Sequence, residues 1–274
     1  MERNEKLPAD IISLRMIFLS FDVEEFDTPS EYGAPLPPEE EITISAQGTA
    51  AILEVLARQQ IPATFFCTAH FAQQQPTLIR RIAREGHEVA SHGFYHADFS
   101  PGHLKASKDV LEAISGQPVH GFRMARMMPV DVDGIAAAGY RYNASLNPTF
   151  IPGRYNHLCA PRTPFLQNGL WQLPASVTPL LRIPLFWLAM HNLPFGIYQT
   201  FCRVAAKRDR YLHIYFHPWE FIDLRTIGTP GRTSLPRYIT RHSGQELLCR
   251  LERLICYLKA HRFPFGRLME AGEL

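Results

Sequence analysis

Met16-Ile17-Phe18-Leu19-Ser20-Phe21-Asp22-Val23-Glu24-Glu25 joins an apolar run of strand length to three acidic residues at its carboxyl end. Open α/β sheets and barrels gather their chemistry at the carboxyl ends of strands, so these acids have a functional reading beside that of a solvated loop. Downstream, Pro62-Ala63-Thr64-Phe65-Phe66-Cys67-Thr68 reads as a buried strand. His87-Glu88-Val89-Ala90-Ser91 is another, and it leads directly into His92-Gly93-Phe94-Tyr95-His96. Helical periodicity fills the gaps: Ile52, Val55 and Leu56 within 49–60, then Leu78, Ile79 and Ile82 between an opening Pro76 and a terminating Gly86. Strand-then-helix alternation with short links argues a parallel β/α architecture. Periodicity does not say whether the sheet closes.

The rest of the chain continues this grammar. Ser100-Pro101 reads as an N-cap and first helical proline, opening a helix with Leu104, Val110, Leu111 and Ile114 inward and Gly116 at its end. Val119–Arg123 and Tyr140–Leu146 read as strands around a small-residue helix, Val132–Ala138. Tyr211–Phe216 is the last clear strand, followed by His217-Pro218-Trp219-Glu220. Ser243-Gly244-Gln245-Glu246 has capping-box form before the apolar stripe Leu247, Leu251, Leu254, Ile255 and Leu258. Thr28–Glu41 and Asn147–Gly169 read as long loops, one beside the acidic strand end and the other over a rim. Pro179–Thr200 is strongly apolar, but Arg182, His191 and three prolines argue against a membrane span; it reads as a buried or groove-forming segment, with lipid contact as the alternative.

At 274 residues with 46% hydrophobic content the chain is long enough for one large core, which we assign to residues 16–274, with residues 1–15 as an N-terminal extension. A net charge of +2, with Lys and Arg scattered, gives no basic arm and no expectation of nucleic acid. Five scattered cysteines without a Cys-x-x-Cys pair fit neither a disulfide framework nor a thiolate zinc site. The charged opening residues lack signal-peptide form, so the expected location is cytoplasmic.

His92 and His96 stand four residues apart, the spacing of a metal-ligand pair in a helical turn or tight loop. One such pair among twelve histidines can arise by chance. What raises it is position, because both the histidines and the acidic stretch fall at the carboxyl ends of strands in βα units. The acidic stretch would supply the carboxylate that such a site also wants.

Six motifs in order resemble the polysaccharide deacetylases, the NodB-homology domains of carbohydrate esterase family 4. They are Phe21-Asp22-Val23-Glu24-Glu25, Pro62–Phe66, Ser91–His96, Gly121-Phe122-Arg123, Gly139–Tyr142 and Tyr215–Glu220. In detail the chain resembles the intracellular-type branch, with Asp-x-Glu in the first motif and His-Pro-Trp-Glu in the last. The resemblance implies a distorted (β/α) barrel of about seven units, one divalent metal ion, and hydrolysis of N-acetyl groups on sugars. It implies His92 and His96 as metal ligands, Asp22 as base, His217 as acid, and Arg123 as the partner of the base. Most of the family carries adjacent aspartates in the first motif, and here Val23 holds the second place. Glu24, returning to the face of Asp22 two residues on, becomes the metal carboxylate, with Glu25 in reserve.

Two departures leave questions open. The usual Arg-x-Pro is replaced by Arg123-Met124-Ala125-Arg126, so Arg126 is an alternative partner for Asp22, and the motif that supports the acid histidine in many members is absent, leaving Glu220 as a candidate. Trp171, Trp219, Tyr95 and Tyr142 are candidates either for a sugar-stacking groove or for packing. The expected function is metal-dependent deacetylation of an N-acetyl amino-sugar polysaccharide or precursor, with zinc named first and Co, Ni, Mn or Fe also suiting the ligands. The alternatives are an amidohydrolase for a small non-sugar substrate and an inactive carbohydrate-binding relative. No protein partner or transmembrane segment is expected; peripheral membrane contact through 179–200 is the alternative to burial of that segment.

Overall fold

The computed structural model describes residues 15–227 and 235–271, so all but Arg15 of the expected N-terminal extension lies outside the described residues. Seven parallel strands form the frame, in the spatial order β10 (Tyr211–Phe216), β1 (Met16–Val23), β2 (Thr64–Cys67), β3 (Glu88–Ser91), β4 (Gly121–Phe122), β5 (Tyr142–Asn143) and β9 (Leu170–Gln172). Two further strands extend it: β8 (Phe165–Gln167) lies antiparallel on β9, and β11 (Phe265–Gly266) lies parallel to β1. A separate hairpin joins β6 (Phe150–Ile151) to β7 (Tyr155–Asn156). The sheet curls. Backbone beyond β9 bonds to the β5 side through Ala175 N to Leu146 O (2.9 Å) and to β10 through Ser176 N to His213 O (2.9 Å), bringing the two ends of the sheet together. This is the distorted α/β barrel that the motifs imply.

The helices are α1 (Thr28–Glu31), α2 (Pro38–Gln59), α3 (Ala69–Gln74), α4 (Pro76–Arg84), α5 (Gly102–Ser115), α6 (Val132–Ala137), α7 (Trp187–Asn192), α8 (Phe195–Asp209), α9 (Arg237–Thr240), α10 (Gln245–Ala260) and α11 (Leu268–Ala271). Helices α1 and α2 correct the sequence reading. The Pro- and Glu-rich stretch read as a loop to Glu41 holds α1 and the first turn of α2, which begins with Pro38 at its amino end and Glu39, Glu40 and Glu41 facing the positive end of the helix dipole. The apolar segment 179–200 holds α7 and the start of α8.

Alternation along the strands decides what lies inside the curl. Ile17, Leu19, Phe21 and Val23 join the large core beneath the helices, as do Leu212, Ile214 and Phe216 of β10. The intervening residues face inward. Phe18 and Tyr211 pack with Phe66, Ala90, Tyr142, Leu173 and Leu268 as an apolar floor. Above that floor β1 carries Ser20 and Asp22, with Glu24 just past its end, while β10 carries His213 and Tyr215, with His217 just past its end. Each row thus turns from apolar to ionisable toward its carboxyl end. Below the floor, α11 closes the opposite end, with Leu268 N donating to Thr64 Oγ1 (2.8 Å) and Met269 N to Glu88 Oε2 (3.0 Å).

Candidate metal centre and active site

Glu24 leaves β1 with its carboxylate pointing at both histidines that follow β3. Its Oε2 lies 3.0 Å from His92 Nε2 and 3.1 Å from His96 Nε2, and Oε1 accepts from Trp219 Nε1 at 3.2 Å. Gly93, at φ 87°, makes the sharp turn between the histidines in a conformation that a β-carbon would oppose. His92 Nδ1 donates to Arg123 O at 3.0 Å, which leaves the lone pair of a neutral His92 on Nε2, toward Glu24. His96 Nδ1 lies 2.9 Å from Asp27 Oδ1, within ion-pair range though off line for a hydrogen bond.

Three electron-rich atoms therefore converge in a buried place, all within 4.8 Å of one another. Such a group needs a cation between its members. Ligand atoms about 2.0–2.2 Å from a shared ion stand roughly 3–3.5 Å apart, so this spacing would suit a divalent metal held by Glu24, His92 and His96. Without the ion, a proton does part of that work. Burial opposes the charge on His96, but Glu24 and Asp27 outweigh it and raise its pKa to about 9. Burial likewise opposes the Glu24 carboxylate, and His96, His217 and His92 together hold it below the usual carboxylate range.

Glu25 points elsewhere, accepting from Thr68 Oγ1 (2.9 Å) and pairing with His70 Nδ1 (2.7 Å). Val23 is fully buried in the outer core. Of the two arginines, Arg123 pairs with Asp22, whereas Arg126 pairs with Asp27 (2.8 Å) and Glu31 (3.1 Å). Opposite, His217 Nε2 lies 3.9 Å from Asp22 Oδ2, and its Nδ1 meets Glu220 Oε1 at 2.8 Å. Burial lowers the pKa of His217, and Glu24, Glu220 and Asp22 more than reverse this, so the imidazolium is favoured. The turn bearing His217 is pressed against α2, where a β-carbon on Gly48 would come within 1.9 Å of Pro218 O.

Asp22, Glu24, His92, His96 and His217 all line one cavity of about 320 Å³. Trp219 lines it too, together with Trp187, Tyr215, Tyr32 and Tyr238. The other aromatic candidates do not. Tyr142 is in the floor, Trp171 lines a depression at the opposite end beside Met269, and Tyr95 packs against His70 and His103. Sequence reasoning missed Asp27, Trp187 and His191. Asp27 follows the acidic stretch by two residues and was legible by extension; Trp187 and His191 come from a segment whose apolar character hid them.

An inward-facing cluster of two imidazoles and a carboxylate at the carboxyl rim of a parallel barrel defines the class: a β/α barrel with a candidate metal centre. Residues 15–128 match the polysaccharide deacetylase family model. A chitooligosaccharide deacetylase of Sinorhizobium fredii is 46% identical over 66 residues, 24% of this chain and 31% of that protein. The first curated relatives are matched over only 26–33% of their own length. Over nearly the whole chain the fold is shared with a protein of Mycobacterium smegmatis described as a proposed polysaccharide deacetylase: TM-score 0.65, 18% identity, covering 94% of this chain and 88% of that one. It is shared equally with the Puue allantoinase: TM-score 0.64, 16% identity, covering 98% and 97%.

Proposed function

We propose that the protein is a divalent-metal-dependent hydrolase that removes the acetyl group from N-acetyl amino sugars in a polysaccharide or its precursor. The observation that carries this reading is the convergence of Asp22, Glu24, His92, His96 and His217 on one cavity, the first four of them in the segment matched to the deacetylase family. Glu24, His92 and His96 are the proposed ligands, zinc the first candidate ion. When bound, such an ion supplies Lewis acidity toward water and toward the acyl oxygen.

The residues of the chain supply the proton traffic. Asp22 is held at Oδ1 by Arg123 and keeps Oδ2 on the side of His217, placed to accept the proton of the attacking water. His217 donates to the amide nitrogen as its bond to the acyl carbon breaks, giving acetate and a free amine. Trp219 fixes Glu24 and stacks on His217, with ring centres 4.8 Å apart. The aromatic wall of Trp187, Tyr32 and Tyr238 is suited to sugar faces.

The proposal extends to a cytoplasmic setting and a lipid-linked or nascent envelope saccharide. Leu180 and Leu181, 79% and 78% exposed, form the tip of a turn whose Arg182 donates to Pro148 O and Ala160 O. It is thereby tied to the loop that gives Ile151 and Pro152 to the cavity. No helix among the described residues is long and apolar enough to cross a membrane. Vesicle flotation with wild type and with Leu180→Glu/Leu181→Glu tests the lipid part, which fails if neither protein floats.

Acetate release from N-acetylated chito-oligosaccharides and peptidoglycan fragments, before and after chelation and metal restoration, tests the reaction. Activity that persists in chelator removes the metal, and turnover of small amides with acetylated sugars ignored removes the sugar.

A further inference from the structure

His191, on α7, is fully buried and lies behind Glu220 on the side away from the cavity. Both are 0% exposed, and His191 Nε2 lies 2.9 Å from Glu220 Oε2. The hydrogen bonds around them leave a proton to be accounted for. Glu220 Oε1 accepts from the backbone N–H of His217 (2.7 Å) and from His217 Nδ1 (2.8 Å). On the far side of the His191 ring, Nδ1 lies 2.6 Å from Arg241 O. A carbonyl only accepts, so Nδ1 carries a hydrogen. A neutral imidazole has only one N–H. If His191 were neutral and Glu220 ionised, Nε2 and Oε2 would face one another as two bare acceptors in a fully buried place, which is strongly unfavourable.

We infer that Glu220 and His191 hold one extra proton between them, making the pair electrically neutral, and that His191 thereby acts through Glu220 as a positioning residue for His217. The inference rests on the reading of His217 as the acid. Whether the proton sits nearer nitrogen or oxygen, the pair carries no net charge. Glu220 then orients the His217 ring through Nδ1 without placing a full negative charge beside it. The other carboxylates near His217 are those of the site, Asp22 at 3.9 Å and Glu24. Other groups packed around the pair are Tyr198 on α8, whose hydroxyl donates to Leu185 O at 2.8 Å, and Arg250 on α10, which donates to Met190 O at 2.7 Å. Arg241 and the surface pair His242 and Glu246 complete the surroundings. The edge of Trp187, with ring centres 5.8 Å apart, keeps the His191 ring in place. Thus the apolar segment between Pro179 and Thr200 supplies the acid side of the site with both a wall and a proton.

Histidine-ring ¹⁵N and carboxyl ¹³C NMR on the whole protein at pH 7.5, with His191 assigned through ring-to-backbone correlations, reads the proton directly. Both His191 ring nitrogens protonated, or Glu220 in its acid form, supports the inference; a single ring proton beside an ionised Glu220 overturns it. Glu220→Gln keeps every partner, since its amide donates to Nε2, and is expected to leave His191 with one ring proton. In the deacetylase pH profile, His191→Gln leaves a fully charged Glu220 beside His217 and moves the basic limb up by about one pH unit. A purely structural role lowers the rate at every pH and leaves the limb in place, which overturns the positioning assignment. A wild type inactive on acetylated sugars defeats the proposed function alone, because the NMR result still decides where the proton lies.

Discussion

Arg123 holds Asp22 from below, and nothing about that arginine is free to move. One terminal nitrogen donates to Asp22 Oδ1, the other lies 3.0 Å from Ser20 Oγ and 2.8 Å from His213 Nε2, and Nε donates to Ala144 O at 3.1 Å. Its charged plane is packed 4.0 Å from the centre of the Phe66 ring and 5.0 Å from that of Tyr215. His213 must be neutral to accept from it, and burial together with Arg123 drives its pKa well below the ordinary value. The floor of the barrel thereby fixes the direction of the Asp22 carboxylate.

Asp22→Asn isolates the chemistry from the packing. The amide oxygen still accepts from Arg123, so the melting transition stays close to wild type, while the amide nitrogen on the cavity side accepts no proton. Acetate release is expected to fall by roughly 10²–10⁴-fold, the range for loss of a general base. A variant that retains most of its activity removes Asp22 from that role.

Arg123→Ala does the reverse, leaving the buried Asp22 carboxylate without its cationic partner. Breaking one side of a buried pair costs about 3–5 kcal/mol. Urea denaturation is expected to show a loss of that size with an unchanged slope. Arg126→Ala, which removes a 38% exposed side chain from Asp27 and Glu31, is expected to cost about 1 kcal/mol or less.

The candidate metal centre has a proton signature. His96 gains its folded-state pKa of about 9 chiefly against burial, through Glu24 and Asp27, so in metal-free protein it contributes stability present below its ordinary value and lost as pH rises through about 9. A cation taking that place expels the proton. Calorimetry with zinc in buffers of different ionisation enthalpy is expected to show proton release at pH 7 and tighter binding as pH rises toward 9. Glu24→Gln is expected to abolish the tight site; uptake equal to wild type argues for a different ligand set.

Much of this arrangement was legible before coordinates, and the reason is periodicity. On β1 a period of two separates Asp22 and Glu24 from Val23 whatever the fold, and the strand ends were marked by where apolar runs stop. Of the supporting residues, Glu220 was already a candidate on sequence, and it reaches His217 because Pro218-Trp219 forms a tight turn that folds residue 220 back on residue 217; His191 and Trp187 were hidden because they arrive from a distant segment with no local signal. The choice of Arg123 over Arg126 likewise depended on which faces the inside of the curl. Arg126 sits at φ 57° in a short turn just past β4 and swings to the rim.

At the other end of the barrel, Glu88 offers a test of the fold that is independent of any activity. It is 2% exposed and accepts from Tyr142 Oη (2.8 Å), Thr64 Oγ1 (2.8 Å) and Met269 N (3.0 Å). Burial pushes its pKa up to about 7 even though these donors favour the charged form. The folded state thus binds the proton more tightly than the unfolded chain, where a glutamate has its ordinary pKa of about 4.3. The stability this contributes is complete below that value and is lost as pH climbs through about 7, because the unfolded chain sheds the proton first. Urea midpoints measured from pH 4.5 to 8 are expected to decline across this window in wild type more than in Glu88→Gln, which has no proton to lose and can still meet Tyr142 and the first turn of α11. Parallel declines in the two proteins would mean that the carboxyl is ionised throughout, and that water reaches the base of the barrel where the packing of Leu268 and Met269 excludes it.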